Sequence, residues 1–238
     1  MGTNHVEELL NSFKNIDQLV RTPNLIQKSA VEALNSFDTN QLSNTGKVKF
    51  NNIIKLIENI SDSNIKDAYG IIYNQLCVLA VSALSAQLEK YFINYATNHW
   101  KQVENPNRVK LDLTQIKSYN FQLKPALGKI LMKNDNSINF QDLQSTMRTF
   151  DTYFHKSIIL ENDIKNKVIF YQQLRHVLVH NDGMVNAEFI RKVDGANIKN
   201  YSEGDLVQLD ESNWMDIQNS FSQLISDIVT PENISENS

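Results

Sequence analysis

The longest helix-periodic segment of the chain, about residues 65–100, sets what it can fold into. Ile72, Leu76, Leu79, Ala83, Leu88, Tyr91, Phe92 and Tyr95 recur at three- and four-residue intervals, the spacing of one helical face. Ser61, Asp62, Ser63 and Asn64 precede it as candidate N-caps. Small residues at Ala80, Ser82, Ala83, Ser85 and Ala86 are expected to let another helix approach closely. The most apolar run, Leu76 to Ala86, is shorter than the roughly 20 residues of a bilayer span, so it reads as a buried core helix. The lone Cys77 inside it is expected to be an inert small hydrophobe.

A helix of this length needs partners for its apolar surface, and the rest of the chain offers them. Residues about 4–20 place Val6, Leu9, Leu10, Phe13, Ile16 and Val20 at helical spacing. A second helix is expected after Pro23, through Leu25, Ile26, Val31, Leu34 and Phe37. A short third carries Phe50, Ile53, Ile54, Ile57 and Ile60. Further helices are expected at about 140–154 (Phe140, Leu143, Met147, Phe150, Phe154), 161–181 (Ile164, Val168, Tyr171, Leu174, Leu178) and 212–229 (Trp214, Ile217, Phe221, Leu224, Ile225, Ile228). Asn162 or Asp163 is a candidate cap for the second of these, and Gly183 its stop. Pro23, Pro106, Pro125 and Pro231 are expected to separate helices. Residues about 101–138 read as a loop-rich insertion with short helical pieces. Lys192 to Gly195 and Tyr201 to Leu209 suggest a small β-hairpin.

Composition removes several functional classes. One Cys rules out an internal disulfide framework and a cysteine zinc site. The formal charge of -4 argues against a generally basic nucleic-acid-coating surface, though not against a small basic site. The sequence lacks a phosphate-binding glycine loop, an H-E-x-x-H, a G-x-S-x-G and an EF-hand loop. The first eight residues do not read as a signal peptide, and with no paired cysteines the expected compartment is the cytoplasm.

Only two of the five histidines, His176 and His180, are close in sequence. They lie in the last turns of the 161–181 helix, about 40° apart around its axis, while Arg175 and His180 are about 140° apart. The bland reading is cationic residues complementing a helix C-terminus, worth about 0.3–1 kcal/mol. The functional reading is chemistry. Histidine, with an ordinary pKa near 6.5, exchanges protons near neutral pH, and arginine is always charged and grips two phosphate oxygens. Cleavage of RNA by its own 2′-hydroxyl needs a base, an acid and a cation for the phosphorane charge, and that set supplies them without a metal.

Arg175-His176-Val177-Leu178-Val179-His180-Asn181, at the end of a helix, resembles the signature of the HEPN superfamily: Arg, four to six residues, then His, with a polar residue directly after the Arg. The segments Ile72 to Leu79 and Phe140 to Ser145, and the hairpin expected after the motif, are similar to those of small bacterial HEPN proteins of the RiboL-PSP-type branch. The likeness covers about residues 65–229. It implies an all-α, HEPN-type helical bundle with a small β-hairpin after the motif helix. The expected division is an N-terminal helical extension (1–60), a HEPN-like helical domain (61–230) with the insertion at about 101–138, and a C-terminal tail (231–238).

The resemblance further implies a homodimer that joins two motifs in one cleft. It implies a metal-independent endoribonuclease without a cofactor, acting as a toxin or anti-phage defence effector, with an antitoxin or regulatory protein as a possible partner. His180 is expected to act as general base or acid and Arg175 to hold the scissile phosphate. His176 is expected to orient or assist, and Asn181 to bond RNA or fix His180. The alternative is a non-catalytic HEPN module for dimerisation or partner binding. A third is an all-helical structural protein with a fortuitous motif. Lesser candidates for RNA contact are His155 and Lys156, Lys124, Lys129 and Lys133, and the aromatic residues Trp100, Tyr91 and Tyr95. For these, a solvated surface or core packing is the favoured reading. Glu188, Arg191 and Lys192 are candidates for interchain ion pairs.

Overall fold

The computed structural model describes residues 2–36, 46–52, 55, 64–104, 110–194, 198–229 and 234–235. The helices are α1 (Gly2–Asn35), α2 (Asn64–Asn98), α3 (Leu113–Ser118), α4 (Leu123–Asn134), α5 (Leu143–Phe154), α6 (Asn162–His180), α7 (Ala187–Val193) and α8 (Glu211–Val229). Residues 46–52 are also helical. The expected caps Ser61, Asp62 and Ser63, the apolar positions Phe37, Ile53, Ile54, Ile57 and Ile60, and Pro106 and Pro231 fall outside the described residues. The all-α class expected from periodicity is what the chain adopts. Strand pairing among the described residues is limited to β1 (Ser157–Ile158) against β2 (Ile234–Ser235) and one bridge, Met184 with Leu206.

α2 is the axis of the structure and packs against α1, α4, α6 and α8. Its buried seam runs through Leu76, Ala80, Leu84, Leu88, Phe92 and Ala96, a steady four-residue row. The expected stripe stepped through Leu79 instead, and Leu79 is 44% exposed. Both faces of this helix are apolar in sequence, so the neighbours decide which one is covered. Tyr69–Asn98 is long and apolar enough to cross a membrane by length and composition, but here its seam forms the centre of the core. Cys77 is fully buried, with its thiol pushed up to about 12 by burial, in keeping with an inert packing role.

Around this axis the packing is mostly aliphatic and aromatic. Phe92 meets Phe140, Phe150 and Phe154 with ring centroids 5.3–6.0 Å apart. α8 buries the whole expected stripe: Trp214, Ile217, Phe221, Leu224, Ile225 and Ile228. α1 contributes Leu9 and Phe13 to the same core. It is tied down by Trp214 Nε1 donating to Asp17 Oδ1 at 3.0 Å and by a Lys90–Glu8 ion pair at 3.0 Å.

Several local expectations are corrected. Pro23 lies inside α1, which continues from Gly2 to Asn35 as one helix, although proline removes one backbone donor there. Pro125 is likewise helical, in the first turn of α4, where the missing N–H has no intrahelical acceptor to lose. Within the 101–138 stretch, α3 and α4 supply the short helical pieces expected there. α4 lies so close on α2 that a Cβ on Gly128 would stand 2.5 Å from the Ile93 Cα. α6 starts after Glu161 without a side-chain cap, so neither Asn162 nor Asp163 acts as one.

Among the described residues the expected hairpin does not form; Gly195 lies outside them. Lys192 and Val193 end α7, whose start is capped by Asn186 accepting from the Phe189 N–H at 2.9 Å. What pairs after the motif helix is Gly183–Val185 with Gly204–Val207, through three backbone hydrogen bonds of 2.9 Å. Asn74 on α2 holds this return segment, donating to the Val207 carbonyl and accepting from the Leu209 N–H.

Candidate functional site

α6 carries the predicted site and presents it on two faces. Its inward face, Val168, Tyr171, Leu174 and Val177, is buried against α2 and α8. The Tyr171 hydroxyl donates to Asp216 Oδ2 at 2.8 Å, and Lys167 pairs with the same carboxylate at 3.0 Å. These contacts set the rotation of α6 and so aim its remaining side chains. The helix ends at Asn181, followed by Asp182 (φ 51) and Gly183 (φ 78) in the left-handed region. Gly183 is thus the second of two such residues, and its N–H bonds the Val177 carbonyl at 3.2 Å.

His176 and His180 are both exposed and one turn apart, with ring centroids 4.7 Å apart. Burial lowers the His176 pKa, and the nearby positive charges of His180, Lys192 and Arg175 lower it further, against an opposing pull from Glu188. His176 is therefore more fully neutral at neutral pH than an ordinary histidine. That is the form a proton acceptor needs. Glu188 and Lys192 pair with each other along α7 at 2.9 Å.

Arg175 points elsewhere. It lines a cavity of about 360 Å³ whose walls include neither histidine. Four of the wall residues, Ser82, Ser85, Ala86 and Glu89, form one row on α2, and the 138–141 loop supplies Asn139 and Gln141. Arg175 makes no ion pair or hydrogen bond among the described residues, and it does not pair with Glu89 across the cavity. A charged guanidinium without an internal partner is available for an anion. Within one chain the structure brings His176 and His180 together and keeps Arg175 on an adjoining face. Asn181 makes no side-chain hydrogen bond to His180; its backbone is engaged with Val177 and Met184.

Of the small residues expected to let a helix approach closely, Ala80 is buried in the seam and Ala83 packs against the core, while Ser82, Ser85 and Ala86 line the cavity. A further close approach lies along α2, where Gly128 meets Ile93. The cavity's sequence signal was available: positions 82, 85, 86 and 89 share one helical face, small residues ending in a carboxylate.

The lesser candidates separate cleanly. Lys124, Lys129 and Lys133 are exposed, as is His155, while Trp100 is 44% exposed beside Lys101. Tyr91 and Tyr95 are packed on Phe150 in the interior, the core role favoured from spacing. Lys156 is not a solvated helix end. His155 closes α5 in the left-handed region (φ 47), and Lys156 turns inward and is 3% exposed. Its ammonium lies 4.2 Å from the Tyr95 ring centroid and 5.2 Å from that of Tyr91, and it donates to the Tyr91 hydroxyl at 2.9 Å. Burial pulls its pKa down to about 8.

Among the described residues no three His, Cys, Asp or Glu side chains are grouped to hold a metal ion. No family model matches the sequence, and neither a curated protein nor a solved structure matches it. The likeness to HEPN proteins therefore rests on the Arg175–Asn181 motif and its position at the end of a helix.

Proposed function

We propose that this chain is a metal-independent endoribonuclease of HEPN type, acting as a cytoplasmic homodimer in a toxin or anti-phage defence role. The observation that supports it is the unpaired Arg175 guanidinium on a face adjoining that of an exposed pair of histidines at the end of α6. Arg175 binds the scissile phosphate and stabilises the charge that builds on it. One histidine removes the 2′-hydroxyl proton, and another protonates the departing 5′-oxygen. The lowered His176 pKa suits the first task, while His180, at the open end of the helix, suits the second. Because Arg175 and the histidines face different directions in one chain, a second copy approaching α6 completes the cleft.

That same divergence favours the second reading, a non-catalytic HEPN module that uses this face to dimerise or bind a partner. RNA cleavage separates the two. The purified protein is expected to cleave RNA in EDTA, leaving 2′,3′-cyclic phosphate and 5′-hydroxyl ends. Arg175→Ala and His180→Ala are expected to lose at least about a hundredfold in rate, the scale of a general acid–base contribution. Strict dependence on a divalent ion sinks the mechanism. Unchanged cleavage by His180→Ala removes that residue's role, and intact RNA with a stable dimer favours the binding module.

A further inference from the structure

The cavity beside Arg175 has a second charged wall, Glu89, that the cleavage chemistry does not use. Cys77 on α2 contacts the Tyr171 carbonyl on α6 at 3.8 Å. One turn further along both helices, Val81 and Arg175 line the cavity together. Glu89 is eight residues beyond Val81, about 12 Å of helix rise. Arg175 and Glu89 line the same cavity and do not pair across it. A cation and a carboxylate left unpaired in one cavity suit a nucleotide, whose ribose holds its phosphate apart from the far edge of its base.

The walls between them suit a flat heterocycle. Val81, Ala86 and Phe140 give apolar surface, and the short side chains of Ser82 and Ser85 leave room. Both serine hydroxyls donate to carbonyls of their own helix, so they face the cavity as acceptors. Asn139 accepts from the Gln141 N–H at 2.8 Å, which leaves its amide NH₂ free to donate. A cavity of about 360 Å³ is at the small end for ligand sites.

We propose that this cavity is a nucleotide-binding subsite selective for guanine, with the phosphate on Arg175 and the base edge on Glu89. An ionised carboxylate only accepts hydrogen bonds. Guanine is the one common base that presents two adjacent donors, N1–H and the exocyclic amine, to its two oxygens. Adenine and cytosine offer one amine beside a ring acceptor that a carboxylate repels, and uracil offers a single N–H between two carbonyls. The Asn139 NH₂ is a donor for the guanine carbonyl. This inference rests on the ribonuclease reading for its meaning, as the element that selects where RNA is cut, but not for its test.

The test is calorimetric titration of the full-length protein with guanosine, adenosine, cytidine and uridine 3′-monophosphates. The guanosine nucleotide is expected to bind at least about tenfold tighter than the others, the scale of one good bidentate contact. In Glu89→Gln, an exposed position where folding is checked by circular dichroism, that preference is expected to collapse. In Arg175→Ala all four are expected to weaken together. Equal binding of the four by the wild type, absence of binding, or a guanine preference kept in Glu89→Gln overturns the proposal. Cleavage of RNAs containing a single guanosine is scored in parallel. Selective nucleotide binding without cleavage leaves the subsite standing and fells the ribonuclease reading. Cleavage without base preference, with no nucleotide selectivity, does the reverse.

Discussion

Replacing Lys156 with methionine is expected to stabilise the protein at neutral pH, and the gain is expected to fade as pH rises. Lys156 is 3% exposed and no carboxylate pairs with its ammonium among the described residues. Its partners are the Tyr91 hydroxyl and the rings of Tyr91, Tyr95 and Phe150. Folding lowers its pKa from 10.5 to about 8. At about 1.36 kcal/mol per pH unit, burying the charged form costs on the order of 3 kcal/mol below pH 8. The ring faces return up to about 2 kcal/mol. Methionine has similar reach, keeps sulfur–aromatic contacts worth about 0.3–1.5 kcal/mol and carries no charge. Tyr91 still donates to the Ile228 carbonyl at 3.1 Å, so its hydroxyl is not orphaned. The net gain for Lys156→Met at pH 7 is about 1–2 kcal/mol, or roughly 2–8 °C in Tm for a chain of this size.

The sign follows from proton counting. Between the folded and unfolded pKa values the unfolded chain binds the extra proton, so wild-type stability rises with pH across that window. From pH 7 to about 9.5 the wild type should gain about 2 kcal/mol on Lys156→Met; tyrosine ionisation, which sets in toward its ordinary pKa of about 10, is common to both proteins. Urea titrations of both proteins at four pH values across this range measure it. Parallel curves would refute the reasoning, because they would mean that the ring faces and Tyr91 hold Lys156 charged at no net cost.

Two further predictions concern the helix packing and the motif helix. Gly128→Ala places a methyl 2.5 Å from the Ile93 backbone and is expected to cost about 2 kcal/mol or more by forcing α4 off α2. Gly70→Ala, also helical but with open space around the new carbon, is expected to gain about 0.5–1 kcal/mol; thermal melts that rank the two the other way would contradict the packing. For the catalytic reading, the lowered His176 pKa places the acid limb of the kcat/KM profile below the ordinary histidine value near 6.5. That limb should disappear or move in His176→Gln, and a limb above about pH 7 that survives the substitution would assign the base elsewhere.

What the sequence determined by itself was the helical architecture and the site's two halves. The spacing of Trp214, Ile217, Phe221, Leu224, Ile225 and Ile228 dictates which face of α8 is buried, because its other face is polar and no neighbour can reverse the choice. Arg175, His176 and His180 share a helix end in sequence and in structure alike, and one helical turn suffices to bring the two rings within contact.

Tertiary structure decided what periodicity leaves open. On α2 both faces are apolar, so only the packing of α1, α4, α6 and α8 selects Ala80 and Leu84 for the seam and leaves Leu79 outside. Lys156 reads as surface by residue type, yet the left-handed turn at His155 and three aromatic rings from two helices draw it inside. Residues 192–193 carry a strand-like pattern. The Asn186 cap and the burial of Phe189 make them the end of a helix, since a satisfied helix start and a filled core site outweigh local preference. The Arg175 cavity is the plainest case. Its walls come from α2, α4, α6 and the 138–141 loop; these are far apart in the chain, and a cavity is defined by the space they leave between them.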